Sequence, residues 1–148
     1  MAERQGYSKP GTSLVDLEQA CPHRLSDADA LLAAGCFSAA VAQGVYALEI
    51  GLKIRICKCL DLLSLPKAFE IHDLQGLMVL TGLSSRLATD RANIAISRNF
   101  EEIQKDANKV SDNRYKGNQS VTRAEAEEFF ARLRDEKDGV LTWILTEI

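Results

Sequence analysis

The sequence predicts an all-α fold, an up-down bundle of about five helices. Apolar residues recur at helical spacing from Leu25 to Leu63, and strand-like alternation is nowhere sustained. The chain has only three prolines and nine glycines, and several of them fall where helices would end. Hydrophobic residues make up 46% of the 148, enough to bury a core without disulfide or metal staples.

Met1 to Thr12 is polar, holds Gly6, Pro10 and Gly11, and reads as a loose tail, leaving residues 13–148 as one domain. Ser13 to Ala20 makes a first helical stretch. Pro22 either opens a second helix at its first turn or kinks one long helix. Gly35 ends this region after Leu31, Leu32, Ala33 and Ala34.

Helix two is expected from about Cys36 to Leu63, ahead of Pro66. At about 100° per residue, Val41, Val45, Leu48, Leu52, Ile56, Cys59 and Leu63 form one narrow stripe, a core face. The opposite side carries Tyr46, Ala47, Ile50, Ile54 and Cys57 beside Gln43, Lys58 and Asp61. A helix apolar on two sides must be covered on two sides. It is therefore either the central helix or a subunit interface as well. Gly44 and Gly51, seven residues apart, lie nearly on one line and let another helix approach closely.

A short third helix follows, capped by His72 or Asp73, buried through Leu74, Leu77 and Met78, and ended by Gly82. Ser84 or Ser85 caps a fourth, which runs through Leu87, Ile94, Ile96, Phe100 and Ile103 to about Val110. Ser111 to Ser120 is a polar loop. Thr122 with Glu125 three residues on is a capping box. It starts a last helix whose apolar face is Phe129, Leu133, Val140, Leu141, Trp143 and Ile144.

The composition excludes several functions. Eighteen basic and 21 acidic residues give a net charge of -3, which is not that of a protein coating a polynucleotide. No apolar run approaches the roughly 20 residues needed to span a bilayer, so no membrane association is expected. The first residues hold no apolar stretch of the signal-peptide kind, and a cytoplasmic protein is expected. Cys21, Cys36, Cys57 and Cys59 read as buried or half-buried free thiols. Cys57 and Cys59 point to nearly opposite sides of a helix, and neither histidine lies near a cysteine pair. No metal site and no cofactor is expected. Phosphate-loop, dinucleotide, zinc-protease and nucleophile-elbow motifs are absent.

Four polar features remain. Arg86, Arg91, Arg98, Lys105 and Lys109 stud helix four. Arg91, Arg98 and Lys105 recur every seven residues, with Asn99 beside them. Residues 50–120 hold 11 basic and 8 acidic residues, while the chain on either side is acidic. This stripe reads either as a solvated face, partly neutralised by Asp90, Glu101, Glu102 and Asp106, or as a groove for phosphate or single-stranded RNA. Glu49 and Lys53, four apart, read as an ion pair tying the edge of helix two or as a polar pair lining a ligand pocket. His72-Asp73 reads as a loop anchor and helix cap, with a catalytic or pH-sensitive pair as the sharper alternative. Arg114-Tyr115 either binds a phosphate and a base or closes the end of the bundle.

Three blocks in this order resemble the HEPN family of small prokaryotic helical domains. The first is Ala30 to Gly35 followed by Tyr46-Ala47-Leu48-Glu49-Ile50-Gly51-Leu52-Lys53. The second is His72-Asp73-Leu74 with Leu77, and the third is Arg114-Tyr115 with the ending Val140-Leu141-Thr142-Trp143-Ile144. The resemblance implies a helical bundle that often pairs into a homodimer. Its members include RNA-cleaving toxins and defence proteins, and non-catalytic companions of nucleotidyltransferases that bind nucleotides or RNA. The family's nucleases carry Arg, then four to six residues, then His. Here Arg98-Asn99 is similar to the opening half, but positions 103, 104 and 105 hold Ile103, Gln104 and Lys105. None of these shuttles a proton near neutrality as imidazole does. The resemblance thus implies a non-catalytic binding protein with no catalytic residue. Its partner would be a nucleotide, an RNA or a nucleotidyltransferase-like protein, in a toxin-antitoxin or defence setting. Arg91, Arg98, Asn99, Lys105, Arg114 and Tyr115 would make the contacts. The alternative is a degenerate, metal-independent ribonuclease toxin using Arg98, Asn99 and Lys105. A third possibility is a dimerising module working through the glycine face of helix two.

Overall fold

The computed structural model describes residues 10–117 and 121–146. The rest of the expected tail and loop, residues 1–9 and 118–120, lies outside the described residues, as do 147–148. The fold is all-α, as expected, with a small two-stranded ribbon added.

β1 (Pro10–Ser13) pairs antiparallel with β2 (Ser64–Pro66), with an irregularity between the pairs Pro10–Pro66 and Ser13–Ser64. Residues 10–12 thus belong to an ordered strand rather than to the tail. Glu70 supports it by accepting from the Thr12 backbone N–H at 3.1 Å. Alternation over so few residues leaves no readable period.

α1 (Leu14–Ala33) is one continuous helix through Pro22. Ser13 caps it, accepting from the Asp16 N–H at 3.1 Å. A proline inside a helix costs about 3 kcal/mol. Here it sits on the exposed side, while Leu17, Cys21 and Ala28 pack inward. Gly35, at φ 77°, closes the helix. The Cys36 N–H bonds to the Leu31 carbonyl at 2.9 Å and the Gly35 N–H to the Leu32 carbonyl at 3.1 Å, a Schellman turn.

α2 (Phe37–Cys59) returns alongside α1 and also touches the third, fifth, sixth and seventh helices. It is the central helix, covered on two sides. Val41, Leu48, Leu52 and Ile56 are buried on one side, Ala47, Ile54 and Cys57 on the other. The expected stripe fails at its end, because the helix stops at Cys59. Cys59 is exposed, and Leu63, beyond the helix, is 86% exposed. A second Schellman turn stops it, with Leu62 N–H on the Cys57 carbonyl at 2.7 Å and Asp61 at φ 52° in the position glycine usually takes. Gly44 faces the Phe129 and Phe130 rings and Gly51 faces Leu141, so close that a Cβ at either would overlap its neighbour. The glycine face is thus filled from within the chain, which removes it as a dimerising surface.

α3 (Leu74–Leu80) is capped by Asp73, whose carboxylate accepts from the Gly76 N–H at 2.9 Å, and Gly82 at φ 77° ends it. The expected fourth helix is two. α4 (Ser84–Thr89) ends at Asp90, a 3₁₀ turn covers Arg91–Asn93, and α5 (Ile94–Asp112) follows. Asp90 breaks the run because its carboxylate accepts from the Ala92 N–H at 3.0 Å, offering the backbone a local alternative to the helix.

The last helix is also two, α6 (Arg123–Arg134) and α7 (Val140–Thr146). Thr122 caps α6, accepting from the Glu125 N–H at 3.2 Å as the capping box predicts. Asp135 interrupts the run, its carboxylate accepting from the N–H groups of Lys137 at 2.8 Å and Asp138 at 2.9 Å. Gly139 sits where a Cβ would overlap the Asp135 backbone. The core gathers around Leu48, Leu52 and Ile56, with Leu65, Leu77, Ile103, Phe129, Leu133, Val140 and Ile144 against them, and Trp143 is buried as expected. Phe129 and Phe130 meet edge to face at 5.0 Å. Among the described residues no helix is long and apolar enough to cross a membrane.

Candidate functional site

A cleft of about 580 Å³ opens between α2, the start of α3 and the C-terminal half of α5. On α2, Tyr46 and Glu49 are three residues apart and Lys53 four further, so all three lie on one edge of the helix. Tyr46 stands at the surface. On α5, Gln104, Asn108 and Ser111 recur at the same spacing and face the same cleft, with Ala107 and Val110 between them. The turn after α5 adds Arg114, and the loop entering α3 adds His72 and Asp73.

Glu49 is the junction. Its Oε1 lies 2.9 Å from His72 Nδ1, and its Oε2 lies 3.5 Å from Lys53 Nζ. Lys53 is only 8% exposed, so its ammonium is held largely out of water against a half-buried carboxylate. The His72 side chain is 85% exposed and is tied down on its Nδ1 side. On its other flank a second hollow of about 400 Å³ is lined by Asp16, Ile50, Lys53, Glu70 and His72. The Glu49–Lys53 pair and the His72-Asp73 pair, far apart in sequence, thus meet at the wall between the two hollows, with Glu49, His72 and Asp73 lining the first and Lys53 and His72 the second. Asp73 caps α3, and His72 ties the loop before it to α2 through Glu49.

The basic stripe is placed differently. Arg91 lies in the 3₁₀ turn before α5, so the expected repeat of seven does not run along one helix. Arg98 is exposed on α5, and neither arginine lines the cleft. Lys105 Nζ sits 2.9 Å from Glu102, and the pairing holds the Glu102 carboxyl below its ordinary range. Asn99 donates from Nδ2 to the Asp138 carbonyl at 2.9 Å, tethering α5 to the turn between α6 and α7. Lys109 pairs with Glu125 at 3.3 Å. Tyr115 is 92% exposed and does not close the bundle end.

The cysteines differ from expectation in burial. Cys21 and Cys57 are buried, whereas Cys36 and Cys59 are exposed, and all four are free thiols. Burial pushes the Cys21 thiol up to about 11, so it stays protonated near neutrality. No group of metal-ligating side chains occurs among the described residues.

Tyr46, Gln104, Asn108 and Ser111 were not legible as site residues. A polar residue on a helix carries the same signal whether it faces solvent or a cleft. The i, i+4, i+7 spacing of Gln104, Asn108 and Ser111 was the available clue. No family model, curated protein or solved structure shows a significant match to this chain.

Proposed function

We propose that this chain is a non-catalytic helical binding protein of the HEPN type, and that it holds a phosphate-bearing nucleotide in the cleft between α2, α3 and α5. The observation that carries the reading is the convergence of unlike polar groups from three elements on one concavity. Arg114 supplies a guanidinium of the kind that grips phosphate. Tyr46 supplies an aromatic face at the rim, the kind of surface on which a base stacks. Gln104, Asn108 and Ser111 supply donors and acceptors along one wall. A volume of about 580 Å³ lies within the roughly 300–1,000 Å³ of small-molecule sites. Pairing into a homodimer and association with a nucleotidyltransferase-like protein belong to the same proposal, through surfaces other than the glycine face of α2.

Calorimetric titration with adenosine and guanosine monophosphates tests it. Micromolar to submillimolar binding is expected, weakened about tenfold or more by Arg114→Ala, since charge-assisted hydrogen bonds contribute about 1.5–3 kcal/mol. Absence of binding by either nucleotide at millimolar concentration, or full affinity in Arg114→Ala, overturns it.

A further inference from the structure

We propose that His72 and Arg114 together form a site for a tetrahedral dianion, and that a proton on His72, steered by Glu49, controls its hold. The inference rests on the nucleotide reading only for the source of the dianion, which there is the phosphate of the ligand. Both side chains line the same cleft whatever the ligand is.

The bond from His72 Nδ1 to Glu49 Oε1, at 2.9 Å, decides which nitrogen faces the ligand. A carboxylate takes the Nδ1–H, leaving Nε2 as the free edge of the ring. The exposure of the His72 side chain keeps that edge open. With the ring neutral, Nε2 carries a lone pair and repels a phosphate oxygen. With the ring protonated, Nε2–H donates to it, and the Glu49 carboxylate steadies the cation on the opposite side.

The surrounding charges make this one proton decisive. From α2 the ring is faced by Glu49, backed by Lys53, and from its own loop by Asp73. The turn after α5 brings Arg114, and the second hollow brings Asp16 from α1 and Glu70 from the loop before α3. In the first cleft the two carboxylates, Glu49 and Asp73, outweigh Arg114 while the ring is neutral, and Lys53 stands behind Glu49 on the side of the second hollow. Protonation brings the cleft into balance and turns the Nε2 edge from a repelling lone pair into a donor. Lys53, 3.5 Å from Glu49 Oε2, offsets part of the carboxylate's repulsion of the ligand. The other histidine, His23, sits exposed on α1 and lines neither hollow.

Sulfate is the probe, because it remains a dianion between pH 5.5 and 8 and leaves the protein as the only titrating party. Its affinity for the full chain, measured by calorimetry, is expected to rise at least about tenfold as pH falls from 8 to 5.5. The rise should vanish in His72→Gln and persist in His23→Gln. Nuclear magnetic resonance of the His72 ring should show its protonation midpoint moving to higher pH with sulfate bound. A flat sulfate profile in the native chain, or an unchanged rise in His72→Gln, overturns the inference. Nucleotide binding without this pH dependence would retain the proposed function and sink the proton control. Sulfate binding with this dependence, but no preference for nucleotides over inorganic phosphate, would do the reverse.

Discussion

Gly44→Ala tests the packing on which the cleft depends, because α2 is held in place by α6 behind it. The added Cβ would overlap the Phe129 ring and lie 3.0 Å from the nearest atom of Phe130. Phe129 is fully buried and stacked edge to face on its neighbour, so neither ring can swing into solvent. Overpacking of a filled core costs about 1–3 kcal/mol. Against this, alanine gains about 0.5–1 kcal/mol over glycine inside a helix. The overlap wins, and a net loss of about 1–2 kcal/mol is expected. At about 2–4 °C per kcal/mol for a chain this size, Tm falls by roughly 2–8 °C. Urea and thermal melts followed by circular dichroism measure both. Gly51→Ala should cost less, since its obstacle is the end of the flexible Leu141 side chain. Phe129→Leu in the Gly44→Ala background should recover part of the loss, a coupling within about 0.5–3 kcal/mol. A Gly44→Ala chain more stable than the native one would refute the close approach of α2 and α6.

Asp61→Gly should stabilise the chain by about 0.5–1 kcal/mol in urea melts, because Asp61 holds φ 52° at the end of α2, where a side chain is strained. A loss of stability would show that the Asp61 side chain contributes more than its backbone costs. Burial pushes the Asp106 carboxyl above its ordinary range, with Glu102 and Glu125 adding to the effect and Arg132 and Lys109 opposing it. The charged form is the disfavoured one in the folded state. Asp106 therefore costs stability above its folded pKa, and the cost fades as pH falls to the unfolded value near 3.8. Asp106→Asn should stabilise the chain at pH 7 and leave it level with the native chain at pH 3, and equal stabilisation at both would contradict the sign.

The parts of the fold legible in the sequence are those set by local chemistry. Gly35 marks the turn between α1 and α2, Asp73 and Thr122 mark helix starts, and the two-sided apolar pattern of α2 marks the centre. Pro22 left two readings open, and packing of Leu17, Cys21 and Ala28 selects the continuous helix. The breaks at Asp90 and Asp135 escaped notice because an aspartate inside a run of helix formers is ambiguous. It breaks the helix only where its carboxylate finds a backbone N–H two or three residues on. The ribbon of β1 and β2 escaped for another reason, since two pairing segments this short carry no period.

The site divides along the same line. Glu49, Lys53, His72, Asp73 and Arg114 are each visible as candidates, but their meeting depends on how α2, α3 and α5 pack. The stripe of Arg91, Arg98 and Lys105 assumed one helix; Arg91 falls in the 3₁₀ turn before α5, and only Arg98 and Lys105 share α5. The groups lining the cleft on α5 lie on the adjacent stripe, beginning one residue earlier at Gln104.

The central claim is that the cleft, rather than the basic face of α5, takes the ligand. Backbone amide shift mapping during titration with adenosine monophosphate at pH 6 tests it most directly. The account predicts shifts concentrated at Tyr46, Glu49, His72, Asn108, Ser111 and Arg114. Shifts centred on Arg91 and Arg98, with the cleft residues unmoved, would contradict it.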